Sequence, residues 1–252
     1  MHAGIRIIRR QLSTQSAERG KQWAGYSAMK YLIESKPSVI GLGSGSTIVY
    51  AINYLKQNTQ FAKQVVCIPT SFQTRQLILD YKLNLGSLDC YPSIDMTIDG
   101  ADEIDRKLNA IKGGGACLFQ ERLVAQASRR FILVADNRKK SDQLGTKWTR
   151  GVPVEVIPMA ATSILYQLER MFPTASIKLR MATPTDKAGP VVTDNGNLVL
   201  DCHFGPISDP ELLYKEIKCL TGVLDVGLFC KMAEKAFYGD NQKDSGEIVT
   251  AM

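Results

Sequence analysis

The stretch SVIGLGSGSTIVYAINYLK, residues 38–56, is the part of the chain that most clearly predicts the fold. Residues 38–43 form a short apolar run that ends in glycines, as buried strands commonly do. From Ser46 onward the apolar residues recur at helical spacing. A continuous apolar strand followed directly by a helix is the building unit of parallel sheets that are covered on both faces. The stretch therefore predicts an α/β fold.

The same alternation extends through the first half of the chain. Three further apolar runs predict strands: QVVCIPT, IDMTIDG and RFILVAD. Two amphipathic runs between or after them predict helices: SFQTRQLILDYK and ERLVAQAS. Four such strands separated by helices predict a Rossmann-like parallel sheet. Ligands of these sheets bind at the carboxyl ends of the strands, so we expect the functional loops there.

The pattern changes after about residue 145 to that of a smaller α+β unit. Strands are predicted at VPVEVIP, ASIKLRM and VLDVGLF, helices at AATSILYQLERMF and SDPELLYKEIKCL, and a hairpin in VVTDNGNLVLDCHF. The hairpin turns at Asn195-Gly196, a strong two-residue turn pair. Ser208 or Asp209 is expected to cap the second helix, which has Pro210 in its first turn.

These patterns together predict the domain organisation. A ferredoxin-like α+β domain is expected over residues 145–226. It is inserted into a Rossmann-like catalytic domain that spans residues 21–144 and 227–252. Residues 1–20 are expected to be a basic N-terminal extension without ordered structure.

The net charge of +6 is concentrated at the N-terminus. Residues 1–30 hold six basic residues and one acidic residue, so the remainder of the chain is almost neutral. A nucleic-acid-binding face on the body of the protein is therefore not expected. The extension fits a cytoplasmic protein, although its Arg-rich and Ser/Thr-containing composition is also that of an organellar import segment.

The cysteines and histidines of the sequence limit which kinds of catalytic and metal site are possible. The six cysteines form no C-x-x-C pair and lie mostly in apolar runs, which predicts reduced thiols in an intracellular protein. The sequence contains no run of about 20 apolar residues, so no membrane span is expected. The only histidines are His2 and His203, which excludes a His-rich metal site. Acid–base chemistry is therefore expected to depend on carboxylates and lysines.

The glycine-rich turn GLGSGST, residues 41–47, joins the first predicted strand to its helix. Backbone amides at a helix N-terminus form an anion site. The turn lacks the G-x-x-x-x-G-K pattern of a P-loop, and Ser46 stands at the third glycine position of the dinucleotide fingerprint. The hydroxyls of Ser44, Ser46 and Thr47 suit a phosphate monoester or a polyol. A turn that only links a strand to a helix accounts for the glycines equally well.

A cluster of four carboxylates, IDGADEID at residues 98–105, follows the third predicted strand. Asp99 and Asp102 are separated by Gly100 and Ala101, so both can face one cavity. The pair suits either a divalent metal ion or acid–base chemistry on hydroxyls. A solvated turn that caps the next helix is a third explanation and, for an isolated acidic turn, the commoner one.

The loop IKGGGACLFQERLVA, residues 111–125, favours a functional interpretation. The consecutive glycines Gly113–Gly115 cost conformational entropy, which is explained if the backbone must approach a ligand and donate N–H groups. Lys112 supplies a positive charge, and Glu121 follows in the first helical turn, either as a base or as a partner of the helix dipole. A basic loop with Lys139 follows the fourth strand. Together the loops combine groups that bind an anion with carboxylates that move protons, as isomerisation of a sugar phosphate requires.

The chain is similar to the A-type ribose-5-phosphate isomerase family. The matching stretches occur in the family's order between about Lys21 and Phe229, and they are GLGSGST, DGADEID, KGGGACLFQERLVA, FILVADNRKK, VPVEVIPMA, VVTDNGNLVLD and GVLDVGLF. Ser44 stands where the family often has threonine, a change that keeps the hydroxyl. The resemblance implies interconversion of D-ribose 5-phosphate and D-ribulose 5-phosphate through a cis-enediol(ate), in the non-oxidative pentose phosphate pathway.

The resemblance also implies roles for individual residues. Glu121 would be the base that moves the proton between C1 and C2. Asp99 and Lys112 would assist ring opening and stabilise charge, while Asp102 would hold hydroxyls. The expected substrate-binding residues are Lys21, Ser44, Gly45, Ser46, Thr47, Asp99, Gly100, Ala101, Asp102, Lys112, Gly113, Gly114, Gly115 and Lys139. Glu103 and Asp105 are expected to be solvated or structural.

The same resemblance sets expectations about partners. No metal and no other cofactor is implied, since Lys112 and the loop amides supply the positive potential. The only small-molecule partner is the sugar phosphate, with no nucleic acid and no membrane. A homodimer or a homotetramer is implied.

Three other functions are compatible with parts of the pattern. Sugar-phosphate-sensing regulators share the fold type, but residues 1–20 are too short for a helix-turn-helix, and sensing does not need Glu121 and Lys112 together. A CoA-transferase-like enzyme would use a glutamate as nucleophile and form a thioester. A catalytically inactive relative would retain the same motifs.

Overall fold

The computed structural model describes the backbone of residues 2–251 and the side chains of residues 17–251. The helices are α1 His2–Glu34, α2 Ser46–Gln57, α3 Thr59–Ala62, α4 Phe72–Asp80, α5 Leu118–Gln126, α6 Ala161–Met171 and α7 Pro210–Lys218. The strands are β1 Val39–Leu42, β2 Val66–Pro69, β3 Asn84–Leu85, β4 Met96–Gly100, β5 Glu103–Ile104, β6 Ala110–Ile111, β7 Phe131–Asp136, β8 Val152–Val156, β9 Ser176–Leu179, β10 Leu198–His203, β11 Val223–Val226, β12 Leu228–Phe229, β13 Lys235–Gly239 and β14 Gly246–Thr250.

The largest sheet is mostly parallel, with the strand order β14-β13-β7-β4-β1-β2-β3. Its strands pair in parallel except β14, which is antiparallel to β13. Both faces are covered: Ile132 and Val134 of β7 pack into the core with α1 and α2, whereas Leu133 packs into a second core with Ala125 of α5. This confirms the predicted Rossmann-like α/β fold.

The second unit is a four-stranded antiparallel sheet with the order β11-β8-β10-β9. Residues of α6 and α7 pack into its core, which confirms the inserted α+β unit. Gly196 at the predicted hairpin turn has a φ of 79°. Asp209, rather than Ser208, caps α7 by accepting a hydrogen bond from the Leu212 amide at 3.0 Å. The exact division at residues 145 and 226 stays a prediction.

The C-terminal region differs from the sequence prediction in two ways. The run VLDVGLF is two strands, because β11 belongs to the four-stranded sheet while β12 pairs with β6 in a separate sheet of order β12-β6-β5. Gly227 separates them, and there a Cβ would lie 2.3 Å from the Lys112 carbonyl oxygen. The residues after Glu234, to which the sequence assigns no element, form β13 and β14. β13 extends the main sheet beside β7.

The helix α1 packs against the main sheet. Ala24, Ala28 and Leu32 recur every four residues and are fully buried. Gly20 approaches the sheet so closely that a Cβ would lie 2.3 Å from the Asn241 side-chain oxygen. The prediction that residues 1–20 form an extension without ordered structure is therefore wrong, since α1 begins at His2 and Ala17 and Gly20 are already buried. The side chains of residues 1–16 lie outside the described part of the chain.

All six cysteines carry free thiols, as the sequence predicts. Among residues 2–251, none of the helices combines the length and apolar character that a membrane span requires.

Phe237 and Ile248 provide a matched test of how the C-terminal strands are placed. The two residues are register partners on β13 and β14, but Phe237 is 1% exposed and Ile248 is 54% exposed. Phe237→Ala leaves a cavity, so we expect it to lower the unfolding free energy by about 3–5 kcal/mol. Ile248→Ala should change it by less than about 0.5 kcal/mol. Urea denaturation measures both values, and equal losses would contradict the burial of β13.

Candidate active site

The carboxyl ends of β1, β4 and β7 open into one cavity of about 260 Å³. The glycine loop before α5 and a lysine of α1 complete its wall. The lining residues are Lys21, Ser44, Gly45, Ser46, Thr47, Gly100, Ala101, Asp102, Lys112, Gly113, Gly114, Gly115, Glu121, Ala135, Asp136, Arg138 and Lys139. Every site residue predicted from the sequence is in this set except Asp99, which is fully buried beneath the wall.

The turn after β1 leads directly into the N-terminus of α2. Gly43 lies against Asp99, where a Cβ would be 1.8 Å from a carboxylate oxygen, so no larger residue fits. Asp99 accepts a hydrogen bond from the Ser44 amide at 3.0 Å, and Gln73 accepts one from the Gly45 amide at 2.9 Å. Among the described residues no side chain caps α2, so its first amides are open to a bound anion.

Lys112 is the buried cation of the cavity. Its Nζ lies 3.0 Å from Asp99 Oδ2 and 3.0 Å from Glu121 Oε1, and it also donates a hydrogen bond to the Gly100 carbonyl. All three charged side chains are at most 7% exposed. Burial alone would lower the pKa of Lys112, but the charges of Asp99 and Glu121 raise it above its usual value. Lys112 therefore stays protonated.

Glu121 has one carboxylate oxygen that is held and one that is free. Oε1 accepts a hydrogen bond from Lys112 at 3.0 Å, whereas Oε2 is buried and has no hydrogen-bond partner within the described part of the chain. Burial raises the pKa of Glu121 to about 8, with Lys112 opposing the shift and Asp99 adding to it. A carboxylate that is held through one oxygen and has no partner at the other keeps an acceptor for a further proton.

Asp102 is held by the glycine loop. It accepts a hydrogen bond from the Gly114 amide at 2.7 Å, and a Cβ on Gly114 would lie 2.6 Å from the same carboxylate. Burial raises the pKa of Asp102, while the Gly114 amide and the charge of Lys112 act in the opposite direction. In this arrangement the Gly114 amide is occupied by the protein itself, so it is not free to bind a ligand.

Glu103 and Asp105 have structural positions and are not solvated. Glu103 is fully buried and accepts hydrogen bonds from the backbone amides of residues 145–148 at 3.0–3.2 Å. Asp105 accepts hydrogen bonds from the Asn109 amide and side chain at 2.8 Å. Burial alone would raise the pKa of Glu103, but the amides that surround the carboxylate hold it below the usual value.

Three cationic side chains lie at the cavity wall beside Lys112. Lys21 forms a 2.6 Å ion pair with Glu18, and Arg138 forms one of 2.6 Å with Asp136. Lys139 has no carboxylate partner among the residues described, so its charge is available to a ligand. The sequence did not single out Arg138, although it lies in the same basic loop as Lys139. The sequence also gave no indication that Ala135 and Asp136, at the end of β7, line the cavity.

The acidic side chains of the cavity are engaged by protein groups. Over the described residues no group of three or more His, Cys, Asp or Glu side chains is arranged to hold a metal ion. Asp99 instead binds Lys112, and Asp102 binds the Gly114 amide. The pair thus lies in a setting suited to proton transfer and to hydrogen bonding with hydroxyls.

Comparison with known sequences places this chain among isomerases. Residues 66–243 match the family model of ribose 5-phosphate isomerase A, also called phosphoriboisomerase A. The chain is 48% identical over 244 residues to the ribose-5-phosphate isomerase of Schizosaccharomyces pombe, a match that covers 94% of this chain and 88% of that protein. It is 51% identical over 233 residues to the ribose-5-phosphate isomerase of Eremothecium gossypii, covering 88% and 89% of the two chains.

Solved structures show the same similarity. A D-ribose-5-phosphate isomerase in complex with phospho-erythronic acid superposes with a TM-score of 0.84 at 36% identity, covering 91% of this chain and 97% of that one. The ribose 5-phosphate isomerase of Plasmodium falciparum superposes with a TM-score of 0.83 at 33% identity and the same coverage. The likeness therefore extends over nearly the whole of each chain.

Glu103→Gln tests whether the buried carboxylate is structural. The variant places an amide NH₂ group against backbone donors, which leaves buried N–H groups without an acceptor. We expect it to lower the unfolding free energy at pH 7 by about 1–3 kcal/mol. Asp142→Asn, at a side chain that is 80% exposed, is the control and should stay within about 0.5 kcal/mol of the wild type.

The stability difference between wild type and Glu103→Gln should depend on pH. Because folding lowers the pKa of Glu103, the contribution is complete above the unfolded-state value of 4.5 and is lost as the pH falls through the folded-state pKa. Urea denaturation between pH 3 and pH 7 measures this. A difference that stays constant over the whole range would show that the ionised carboxylate is not what the amides bind.

Proposed function

This chain belongs to the ribose 5-phosphate isomerase A family, and we propose that it acts on its substrate with Glu121 as the base. It is an aldose–ketose isomerase that interconverts D-ribose 5-phosphate and D-ribulose 5-phosphate. The observation that supports the choice of base is the buried Glu121 Oε2, which is unpartnered among the described residues on a side chain that lines the cavity. A positioned carboxylate contributes roughly 10²–10⁴-fold as a general base.

The reaction moves one hydrogen between two carbons of the open-chain sugar. Glu121 takes the C2 proton of the aldose, the electrons of that bond form the C1–C2 double bond, and O1 becomes negatively charged. O1 then gains a proton while O2 loses one, and the Glu121 carboxyl returns its proton to C1 as C2 becomes the carbonyl carbon. The intermediate is a cis-enediol(ate). The charge of Lys112, whose Nζ lies 3.0 Å from Glu121 Oε1, stabilises the oxygens of this intermediate.

The two ends of the substrate are assigned to different parts of the cavity. The phosphate is assigned to the N-terminus of α2, where Ser46 and Thr47 add hydroxyls and Lys21 and Lys139 add positive charge. The sugar hydroxyls are assigned to Asp102, whose carboxylate lines the cavity. The open amides of α2 and the unpaired charge of Lys139 in the described structure support this orientation.

Asp99 is proposed to act through Lys112. One carboxylate oxygen of Asp99 binds Lys112, and the other accepts hydrogen bonds from the amides of Ser44 and Gly100 at 3.0 and 2.7 Å. These contacts support a role in keeping Lys112 charged and the phosphate turn in shape. Direct participation of Asp99 in substrate binding and ring opening stays a prediction, since its side chain is fully buried beneath the cavity wall.

The cellular setting is also a proposal. The reaction is a step of the non-oxidative pentose phosphate pathway, and the free thiols of all six cysteines suit the reducing cytoplasm. Assembly as a homodimer or homotetramer is carried over from the family resemblance. The alternative of organellar import depends on residues 1–16, whose side chains lie outside the described part of the chain.

Glu121→Gln tests the base directly. The amide cannot accept the C2 proton, so we expect kcat for ribulose 5-phosphate formation to fall by a hundredfold or more. The exposed Glu169→Gln should retain wild-type activity, and EDTA should leave all rates unchanged. Equal activity in wild type and Glu121→Gln would leave the reaction standing but show that another group is the base. Absence of activity in the wild type would instead favour a sugar-phosphate sensor or an inactive relative.

The pH dependence of kcat/KM gives a second test. Glu121 must be deprotonated to act as a base, so activity is lost as the pH falls through its raised pKa. We expect an acid limb with a midpoint well above 4.5, below which kcat/KM falls by up to tenfold per pH unit.

The phosphate of the substrate also titrates in this range, near pH 6, and Asp99→Asn separates the two groups. Removing the negative charge of Asp99 lowers the pKa of Glu121, so the acid limb should move to lower pH in this variant. The phosphate of the substrate is unaffected by the substitution. A limb that stays in place would therefore belong to the substrate, against the prediction.

A further inference from the structure

Arg180 is a buried cation of the small domain that reaches the catalytic loop. It follows β9 directly and is 6% exposed. Its Nε donates a hydrogen bond to Asp201 of β10 at 2.9 Å, and its Nη2 donates to the other oxygen of the same carboxylate. Its Nη1 donates to the carbonyl oxygens of Gly113 at 3.0 Å and Gly114 at 3.2 Å. Neither the sequence motifs nor the reaction described above assigns this residue a role.

The two carbonyl contacts help to set which way the glycine loop faces, together with a hydrogen bond from the Ala116 amide to the Gly113 carbonyl at 3.0 Å. In a planar trans peptide, the carbonyl of one residue and the amide of the next point in opposite directions. The Gly113 carbonyl points at Arg180, so the Gly114 amide points away from it, and this amide is the one that binds Asp102 at 2.7 Å. Arg180 therefore holds Asp102 through a single peptide unit.

The same geometry orients the next amide. The Gly114 carbonyl points at Arg180, so the Gly115 amide points away from it. Gly115 lines the cavity, and a Cβ there would meet nothing within 4 Å. None of the described residues accepts a hydrogen bond from this amide. The amide thus belongs to a residue of the cavity wall and has no acceptor among the described residues.

The arrangement requires the shape of a guanidinium group. Three nitrogens of Arg180 divide between one carboxylate and two carbonyls, with the planar group spanning both sides. The ammonium of a lysine carries its donors on a single atom and cannot cover the same set. The pairing with Asp201 also compensates the buried charge, so the contribution of Arg180 is mainly geometric.

We propose that Arg180 is a positioning residue for the isomerisation, acting across the domain boundary. It sets the Gly113–Gly115 peptides so that Asp102 is held for the sugar hydroxyls and the Gly115 amide donates to the oxygen on which negative charge develops. This inference rests on the proposed function, and it adds a residue of the small domain to the site.

Arg180→Gln is the test, with Arg170→Gln on the exposed side of α6 as the matched control. Complete removal of an oxyanion donor costs about 10²–10³ in kcat. A donor that is misdirected rather than removed should cost about 10- to 100-fold. The control should stay within about twofold of the wild type.

Two ligands distinguish loop positioning from general damage. Phospho-erythronic acid carries a carboxylate where the enediolate charge develops, whereas inorganic phosphate fills only the phosphate end. In Arg180→Gln we expect calorimetric affinity for phospho-erythronic acid to fall at least tenfold, with affinity for inorganic phosphate within about twofold of the wild type. Equal weakening of both ligands would overturn the proposal, because it would indicate a structural defect.

A second variant guards against loss of folding. Arg180→Gln leaves Asp201 as an unpaired, largely buried carboxylate, so the double variant Arg180→Gln/Asp201→Asn removes both charges and should have near-native circular dichroism and Tm. We expect the same loss of kcat in this folded protein. Wild-type kcat in the double variant or in Arg180→Lys would overturn the proposal. Failure of the Arg180 proposal can be distinguished from failure of the proposed base, because a wrong base would appear as activity retained in Glu121→Gln.

Discussion

The Lys112 ammonium shared by Asp99 and Glu121 is the interaction on which the rest of the site depends. Burying a charged group costs several kcal/mol even after relaxation, and three charged side chains are buried here within 3.0 Å contacts. Two carboxylates against one ammonium leave a net negative charge, which favours the uptake of a proton. Of the two carboxylates only Glu121 belongs to a residue that lines the cavity, and its Oε2 has no hydrogen-bond partner among the described residues. Burial is the main reason that the pKa of Glu121 is raised, with the charge of Asp99 adding to the shift and that of Lys112 opposing it.

This ion cluster requires that strands and loops from distant parts of the sequence meet accurately. The backbone amide of Lys112 donates to the Gly227 carbonyl at 2.9 Å, at the point where the chain crosses back from the small domain. Arg122, the neighbour of Glu121, binds Asp225 at 2.8 Å and the carbonyls of Val226 and Leu228 at the same crossing. Both partners in the Lys112–Glu121 pair are thus attached to one segment, residues 225–228. A shift of this segment would therefore move the Lys112–Glu121 pair.

Much of this organisation was predictable from the sequence because its determinants are local. Apolar runs, helical spacing and glycine turns predict β1, β2, β4 and β7, and the carboxyl ends of these strands place their loops at the same edge of the sheet. The strands β13 and β14 were missed because their place depends on pairing at a distance: β13 pairs with β7, about a hundred residues earlier, and β14 pairs with β13. The split of VLDVGLF was missed because its cause is the close approach of Gly227 to Lys112. Arg180 has no local pattern at all, since its partners are the carbonyls of a loop more than sixty residues away.

The crowded acidic stretch from Asp99 to Asp105 now has a physical explanation. Like charges so close in sequence repel unless each has its own compensation, and the four carboxylates have four different partners: Lys112, the Gly114 amide, the amides of residues 145–148, and Asn109. Lys112 and Gly114 belong to the glycine loop before α5, while residues 145–148 lead into the small domain. The short stretch that follows β4 therefore attaches the main sheet both to the glycine loop and to residues 145–148. Neutralising Glu103 would weaken its hold on residues 145–148, whereas neutralising Asp102 would weaken its hydrogen bond to the Gly114 amide. Asp102 and Glu103 are neighbours in the sequence but bind different segments. They can do so because successive side chains of an extended chain point to opposite sides.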